Sequence, residues 1–220
     1  MALVAPHLAP WPWQKSYPPG IDWDARIEPR PLYRLLDDAA AKHGDKPCVD
    51  FLDRRWSYDE IKGLSDRFAR GLADFGVKRG DRIGLFLPNC PYFVIAYFGI
   101  LKAGGVVVNF NPLYAEIRAV EHQIMDSGIT VMVTLGLEAL VAKLRPQFER
   151  TALRRIIVCS LPKALPFAKR LFAPFAMSRD LAKTEGDLHF IPFEELTDND
   201  GAVTPPPIDP IRDLALLQYT

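Results

Sequence analysis

The strongest constraint on the fold is an alternation of short apolar segments with helical segments in the middle of the chain. Four segments have the composition of buried strands, at residues 83–87, 106–110, 129–134 and 155–159. Three helical segments separate them, at residues 91–103, 115–126 and 137–148. Helices of this length join neighbouring parallel strands through right-handed crossovers. The pattern predicts an α/β fold with a doubly wound, mainly parallel sheet and helices on both faces.

A well-marked helix start precedes this alternation. Ser57 can cap the first turn, and Glu60 follows three residues later, which completes a capping box. Trp56 and Ile61 are placed to form the accompanying hydrophobic staple. A helix and two short strands are predicted before it, at residues 32–43, 48–51 and 55–56. We expect the inner side of the capped helix to carry Ile61, Leu64, Phe68, Leu72 and Phe75.

Composition divides the chain into four parts. Residues 1–30 form a Pro- and Trp-rich arm, whose Trp side chains at positions 11, 13 and 23 are expected to pack over the folded body. Residues 31–160 form the α/β subdomain. Residues 161–212 form an irregular connection, first basic and apolar and then acidic. Residues 213–220 begin a further buried strand.

Charge changes sign along that connection. Residues 161–185 carry five basic and two acidic side chains, a balance of +3. Residues 186–213 carry seven acidic side chains and one basic side chain, a balance of −6, and they include the triplet Pro205-Pro206-Pro207. This composition favours a surface connection over a core element.

The overall composition excludes several classes of protein. Lys and Arg together number 27, as do Asp and Glu, so the formal net charge is zero and no nucleic acid partner is indicated. The three cysteines, Cys48, Cys90 and Cys159, are far apart, which favours a reducing compartment and a cytoplasmic protein. The four histidines show no metal-ligand spacing.

Two segments could be mistaken for membrane signals. The first ten residues lack the basic start and apolar run of a signal peptide. Residues 92–108 are apolar but slightly short for a span, and they contain Lys102 and the Gly104-Gly105 pair. We interpret this segment as a buried helix followed by a buried strand.

Catalytic motifs that can be read from residues alone are not found. The chain contains neither Gly-x-Gly-x-x-Gly nor Gly-x-x-x-x-Gly-Lys-Ser/Thr, and no Gly-x-Ser-x-Gly elbow. The adjacent carboxylates Glu194 and Glu195 lie in an acidic stretch and are best explained as a solvated edge. No residue is predicted to be catalytic.

A series of short motifs is more informative. It begins with Gly80-Asp81-Arg82, continues through Leu87-Pro88-Asn89 and Lys102-Ala103-Gly104-Gly105, and ends with Asn111-Pro112-Leu113-Tyr114. The series resembles the early motifs of the adenylate-forming enzymes, and especially their long-chain fatty acid–CoA ligase branch. Three further segments resemble that family in the same order, at residues 56–60, 121–128 and 213–220. The match runs from about residue 32 to residue 220. The matched motifs themselves are expected to be structural, with Asp81 accepting hydrogen bonds from local backbone N–H groups.

The resemblance implies a two-step reaction. ATP and a fatty acid, or another carboxylate, give an acyl-adenylate and pyrophosphate, with Mg²⁺ offsetting phosphate charge, and CoA then displaces AMP. Tyr219 and Thr220 match the start of the family's phosphate loop, so the resemblance implies that both bind the nucleotide and that Thr220 contacts phosphate or Mg²⁺. The other interpretation of Thr220 is a terminal strand residue. Because members of the family are more than twice as long, the 220 residues alone are expected to be inactive.

Several functions remain open at this point. The substrate of the full protein can be a long-chain fatty acid or a dicarboxylate such as pimelate. The acyl acceptor can be CoA or a carrier protein. The chain can also be a truncated, non-catalytic remnant of the same fold.

The basic, apolar stretch at residues 161–183 has two interpretations. It is either a loop and broken helix packed on the domain, interrupted at Pro166 and Pro174, or a peripheral contact with the inner face of a membrane. In the second interpretation Phe167, Leu171, Phe172 and Phe175 enter the bilayer while Lys169 and Arg170 meet anionic head groups.

Overall fold

The computed structural model describes residues 11–22, 25–113 and 116–219. A 3-10 helix occupies Pro12–Ser16. The α-helices are α1 (Arg34–His43), α2 (Tyr58–Asp74), α3 (Pro91–Lys102), α4 (Ile117–Ser127), α5 (Glu138–Leu144), α6 (Gln147–Arg150), α7 (Leu161–Ala164), α8 (Phe167–Ala176) and α9 (Phe193–Thr197). The strands are β1 (Pro47–Phe51), β2 (Arg54–Ser57), β3 (Arg82–Phe86), β4 (Val106–Asn109), β5 (Val131–Leu135), β6 (Arg155–Cys159), β7 (Phe190–Pro192) and β8 (Leu216–Gln218).

Six of these strands form one parallel sheet, in the order β7-β6-β5-β3-β4-β8. The winding direction reverses at β3, because β4 pairs with one of its edges and β5 with the other. Strands β1 and β2 form a separate antiparallel pair. The predicted doubly wound α/β fold is confirmed.

Each face of the sheet is covered by helices. Helices α1, α3 and α9 pack around α2, and the apolar residues of this layer form one core with the sheet. Helices α4 and α5 contact each other, and they form a second core against the opposite face. The segment considered as a possible membrane span is α3 followed by β4, and both are largely buried.

The capping box at the start of α2 is confirmed. The Glu60 N–H donates to Ser57 Oγ at 3.1 Å, and the Ser57 N–H donates to Glu60 Oε2 at 2.8 Å. The inner face of α2 is as predicted at Ile61, Phe68 and Leu72, which are fully buried. Phe75 is the exception: it is exposed because the helix ends at Asp74 and Phe75 is its C-cap.

The helix predicted over residues 137–148 is broken into α5 and α6. The break falls at Arg145 and Pro146, which lie between the two helices. Proline has no N–H to donate to the preceding turn, and its ring crowds the carbonyl four residues earlier, so the first helix ends.

Regular structure occupies much of residues 161–197, within the stretch that composition predicts to be irregular. This stretch contains α7, α8, β7 and α9, and β7 pairs with β6 at the edge of the sheet. Phe190, Phe193 and Leu196 are buried although they lie among acidic residues. Strand β7 has only three residues, so its sequence shows no alternation, and the acidic residues around it are typical of a surface loop. Pro174 lies inside α8 and does not end it, because the Met177 N–H still donates to the Ala173 carbonyl at 2.8 Å.

The amino-terminal arm also differs from expectation. Trp11 and Trp13 stack on each other with ring centroids 4.9 Å apart, and both remain exposed. They therefore do not pack over the body of the domain. Trp23 lies outside the described residues.

Alanine substitutions at two glycines of α2 should change the free energy of unfolding in opposite directions. A Cβ at Gly71 would lie 2.0 Å from the backbone oxygen of Leu196 in α9, whereas a Cβ at Gly63 would meet nothing within 4 Å. Gly71→Ala should lower the free energy of unfolding by roughly 1–3 kcal/mol, because α9 must move away from α2. Gly63→Ala should raise it by roughly 0.5–1 kcal/mol, because alanine loses less backbone entropy in a helix. Urea denaturation measures both, and equal effects of the same sign would contradict the packing described.

Candidate functional site at the carboxyl end of the sheet

Strand β8 carries the predicted nucleotide-binding residues to the carboxyl edge of the sheet. It pairs with β4 in parallel, with Leu217 opposite Val108 and Gln218 opposite Asn109. Tyr219 follows directly after the strand. Thr220 lies outside the described residues. In open α/β sheets ligands bind beyond the carboxyl ends of the strands, so Tyr219 stands at the edge where a ligand is expected.

Tyr219 is held in place by helix α4. Its hydroxyl donates a hydrogen bond to Asp126 Oδ2 at 2.6 Å, and its ring centroid lies 6.5 Å from that of Phe110. Partial burial raises the pKa of Tyr219, and the hydrogen bond to the Asp126 carboxylate raises it further. Two of the motifs that resemble the same family, at residues 121–128 and 213–220, are therefore in direct contact. Asp126 lies within the 121–128 motif, but the sequence does not indicate that it is the partner of Tyr219.

The side chain of Asn109 marks the same edge. Its Nδ2 donates to Gln218 Oε1 at 3.0 Å, which joins the ends of β4 and β8. Its Oδ1 is buried and accepts no hydrogen bond from any described residue. A buried acceptor of this kind usually has a donor, so this edge can receive one further N–H or O–H group.

The Asn111-Pro112 motif forms the turn that follows β4. Asn111 Oδ1 accepts a hydrogen bond from the Leu113 N–H at 2.9 Å, and Lys143 Nζ donates to the Pro112 carbonyl at 3.3 Å. This is an Asx turn, which asparagine side chains commonly make. The motif is structural, as expected, while its last residue, Tyr114, lies outside the described residues.

Lys102 has a structural role in the Lys-Ala-Gly-Gly motif. Its ammonium lies between the carboxylates of Asp37 in α1 and Asp66 in α2, and only 5% of its side chain is exposed. Lys62 also contacts Asp66, at 2.6 Å. A buried lysine needs such partners, because an unpaired charge in the interior is costly. Sequence reasoning missed this cluster. The only local signal was the spacing of Lys62 and Asp66, four residues apart on one helix face.

The glycines of the same motif permit close backbone approach. Gly104 has a φ of +85°, and a Cβ there would lie 2.5 Å from Cγ of Pro206. The Pro-rich connection therefore lies directly on the end of α3. Nearby, Asp81 accepts a hydrogen bond from the Lys78 N–H at 2.8 Å, as predicted for the turn that leads into β3.

A groove of about 490 Å³ lies at the opposite, amino end of the sheet. Arg30, Arg79 and Arg82 contribute to its walls, but each guanidinium is engaged. Arg30 pairs with Asp38, Arg79 pairs with Asp213, and Arg82 donates to the Ser127 carbonyl at 2.8 Å. The three arginines of the groove are thus occupied by structural contacts. We therefore keep the carboxyl end of the sheet as the candidate site.

The described residues offer neither a metal cluster nor an activated thiol. Within them there is no group of three or more His, Cys, Asp or Glu side chains that could hold a metal ion. Burial raises the pKa of the Cys90 and Cys159 thiols, which disfavours the nucleophilic thiolate. The hydroxyl of Tyr219, the predicted nucleotide-binding residue, is committed to Asp126.

Removing Lys102 should be far more damaging than removing its neighbour. Lys102→Met leaves two mostly buried carboxylates without their shared cation, so the free energy of unfolding should fall by about 3 kcal/mol. Lys62→Met removes a more exposed partner and should cost less than about 1 kcal/mol. Chemical denaturation of both variants provides the comparison. A similar, small loss in each would show that the three-helix ion cluster contributes little.

The contact between Tyr219 and Asp126 should be visible in a pH titration. The raised pKa means that the neutral hydroxyl stabilises the fold at neutral pH, and that this contribution is lost as the pH rises above the ordinary tyrosine value of 10.0 through the folded-state pKa. Asp126→Asn should lower the pKa of Tyr219, because it removes the carboxylate's negative charge. The measurement is tyrosinate absorbance against pH, with Tyr219→Phe assigning the transition. An unchanged transition in Asp126→Asn would contradict the contact.

Comparison with known proteins agrees with this architecture. The chain is 33% identical over 213 residues to a long-chain-fatty-acid–CoA ligase of Bacillus subtilis, covering 95% of this chain and 37% of that protein. It is 30% identical over 217 residues to a ligase of the same name from Escherichia coli O157:H7, covering 94% and 37%. The chain thus spans little more than a third of the length of these relatives.

Solved structures show the same fold. A long-chain-fatty-acid–CoA ligase from Archaeoglobus fulgidus superposes with a TM-score of 0.67 at 21% identity, covering 89% of this chain and 35% of that one. A coronafacic acid ligase from Pectobacterium brasiliense superposes with a TM-score of 0.68 at 19% identity, covering 86% and 33%. The sequence model of the family described as "AMP-binding enzyme" matches residues 36–220, from α1 to the last residue. The chain belongs to the AMP-binding enzyme family.

Proposed function

We propose that the protein carrying this chain is an ATP-dependent long-chain fatty acid–CoA ligase, and that residues 1–220 form its amino-terminal portion. The reaction converts a fatty acid, ATP and CoA into acyl-CoA, AMP and pyrophosphate through an acyl-adenylate. The observation that carries the proposal is the alignment with the Bacillus subtilis ligase, which extends over nearly the whole chain.

The extent of similarity also favours CoA over a carrier protein as acceptor. Surfactin synthase subunit 1 of Bacillus subtilis is 30% identical over 115 residues, which is only 50% of this chain. The CoA ligases of Bacillus subtilis and Escherichia coli O157:H7 match 95% and 94% of it at comparable identity, and that of Yersinia pestis matches 75%.

In this proposal the residues of this chain position the start of the nucleotide site and supply no group that reacts. The pairing of β8 with β4 directs the residues after Gln218 away from the carboxyl edge of the sheet. Tyr219 and Thr220 would begin the nucleotide site there, with Thr220 contacting phosphate or Mg²⁺. ATP, when bound, would supply the leaving group that activates the carboxylate. Asp126 fixes the Tyr219 ring through its hydroxyl and so fixes the point from which the next residues depart.

A cytoplasmic location is proposed together with this function. The three free cysteines, Cys48, Cys90 and Cys159, suit a reducing compartment. No helix within the described ranges is long and apolar enough to cross a bilayer.

The proposal is tested by carboxylate-dependent exchange of pyrophosphate into ATP. The assay uses the 220-residue chain and the product of the complete gene, each with palmitate and with pimelate. We expect palmitate-dependent exchange by the complete protein and none by the 220 residues, because these span little more than a third of the length of the ligase relatives. CoA consumption in the same samples identifies the acceptor.

Each other result has a definite meaning. Faster exchange with pimelate than with palmitate would indicate that the substrate is a dicarboxylate and not a fatty acid. Exchange without CoA consumption would indicate another acyl acceptor. A complete protein that is folded and catalyses no exchange with either acid would overturn the ligase proposal and favour a non-catalytic member of the family.

A further inference from the structure

Helix α8 presents its apolar side to solvent. Phe167, Leu171 and Phe175 follow one another at intervals of four residues and therefore share one face. Their exposed fractions are 83%, 62% and 83%, and Phe172 beside them is 68% exposed. A surface helix normally turns such a face towards the core. Here Ala173 alone among the helix residues is buried.

Polar contacts hold this helix and its neighbour α7 on the domain from beneath. Lys169 pairs with Asp53 in the turn between β1 and β2 at 2.5 Å. Lys163 in α7 pairs with Glu194 at 3.0 Å, and Arg54 donates to the Lys163 carbonyl at 2.9 Å. The exposed aromatic face is thus attached to a fixed base, and its direction is set by the fold.

Three basic residues lie close to the aromatic face along the chain. Arg170, Arg179 and Lys183 lie in or just after α8, and within the described part of the chain none of them pairs with a carboxylate. The segment 161–185 has a balance of +3, whereas the protein as a whole is neutral. Positive charge is therefore concentrated in the segment that contains α8, whose apolar face is exposed.

This combination selects one class of partner. An apolar face rimmed by Lys and Arg is the pattern of a helix that lies in the interface of an anionic bilayer. A second copy of the chain docking on the same face would bring the two basic rims together, and like charges oppose such contact. We propose that α8 is an interfacial membrane anchor, with Phe167, Leu171, Phe172 and Phe175 in the acyl boundary and the basic residues on anionic head groups. The proposal does not depend on ligase activity.

Sedimentation of the complete protein with lipid vesicles tests the anchor. Vesicles contain phosphatidylcholine alone or with phosphatidylglycerol. We expect binding only to the anionic vesicles, weakened by high salt. Phe172→Glu combined with Phe175→Glu should reduce binding by about tenfold or more, because two rings leave the interface and two like charges face the lipid. Arg179→Glu with Lys183→Glu should reduce it several-fold.

The matched control is Ile211→Glu. Ile211 is 78% exposed but precedes the amino end of β8, far along the chain and the sheet from α8. This variant should bind vesicles as the unchanged protein does. All the altered side chains are exposed, so thermal unfolding followed by circular dichroism should be the same in every variant, which separates lost binding from lost folding.

Maleimide labelling of a cysteine in α8 shows whether lipid or protein shields the aromatic face. Phe172→Cys in the complete protein should react with a maleimide in the absence of vesicles and become protected when anionic vesicles are added. Protection without vesicles would mean that a second copy or another part of the protein covers α8, and would overturn the proposal. Equal vesicle binding by the unchanged protein and the Phe172/Phe175 variant, or no binding by either, would also overturn it.

Discussion

The position of the candidate site depends on the pairing of β8 with β4. The chain reaches β8 only after leaving β7, which lies at the other edge of the six-stranded sheet. The connection between them must cross the layer of helices, and it is fixed along the way. The Arg70 guanidinium donates to the Ala202 carbonyl, and the Asn199 side-chain amide donates to the Arg67 carbonyl. Pro206 lies against Gly104, and Arg79 pairs with Asp213. The guanidinium of Arg79 lowers the pKa of Asp213, so this last attachment remains ionised at neutral pH.

The connection can cross the helices because it approaches their backbone closely at two points. The carbonyl of Leu196 lies where a Cβ of residue 71 would be, and Pro206 lies where a Cβ of residue 104 would be. Both positions are glycine. The buried ammonium of Lys102 has a related effect, since it joins α1, α2 and α3 into the surface over which the connection runs. Within the Lys-Ala-Gly-Gly motif, Gly104 therefore leaves room for the connection and Lys102 holds the helix layer together.

Sequence reasoning predicted the parts of the fold that have a period or a local signal. The alternation of strands and helices gave the parallel sheet, and Ser57 with Glu60 gave the start of α2, because both depend on neighbouring residues. It failed where a long-range contact decides the structure. Phe190 is a core residue because β7 adds to β6, and Phe193 and Leu196 are core residues because α9 packs on α2; nothing within their own acidic stretch indicates either contact. The same holds for the candidate site: the motif located Tyr219, but its bond to Asp126 spans 93 residues of sequence.

The parallel sheet also relates the candidate site to helix α8. In a parallel sheet every strand ends at the same edge, so the segments that follow β6 and β8 leave the domain on one side. Tyr219 follows β8, and α7 and α8 follow β6. A membrane contact through α8 would place the lipid surface at the end of the sheet where the nucleotide site is proposed to begin. An acyl chain leaving the bilayer would then reach the carboxyl edge of the sheet without passing around the domain. For an enzyme with a poorly soluble substrate, the shared edge gives a physical reason for an apolar helix face to remain exposed in this fold.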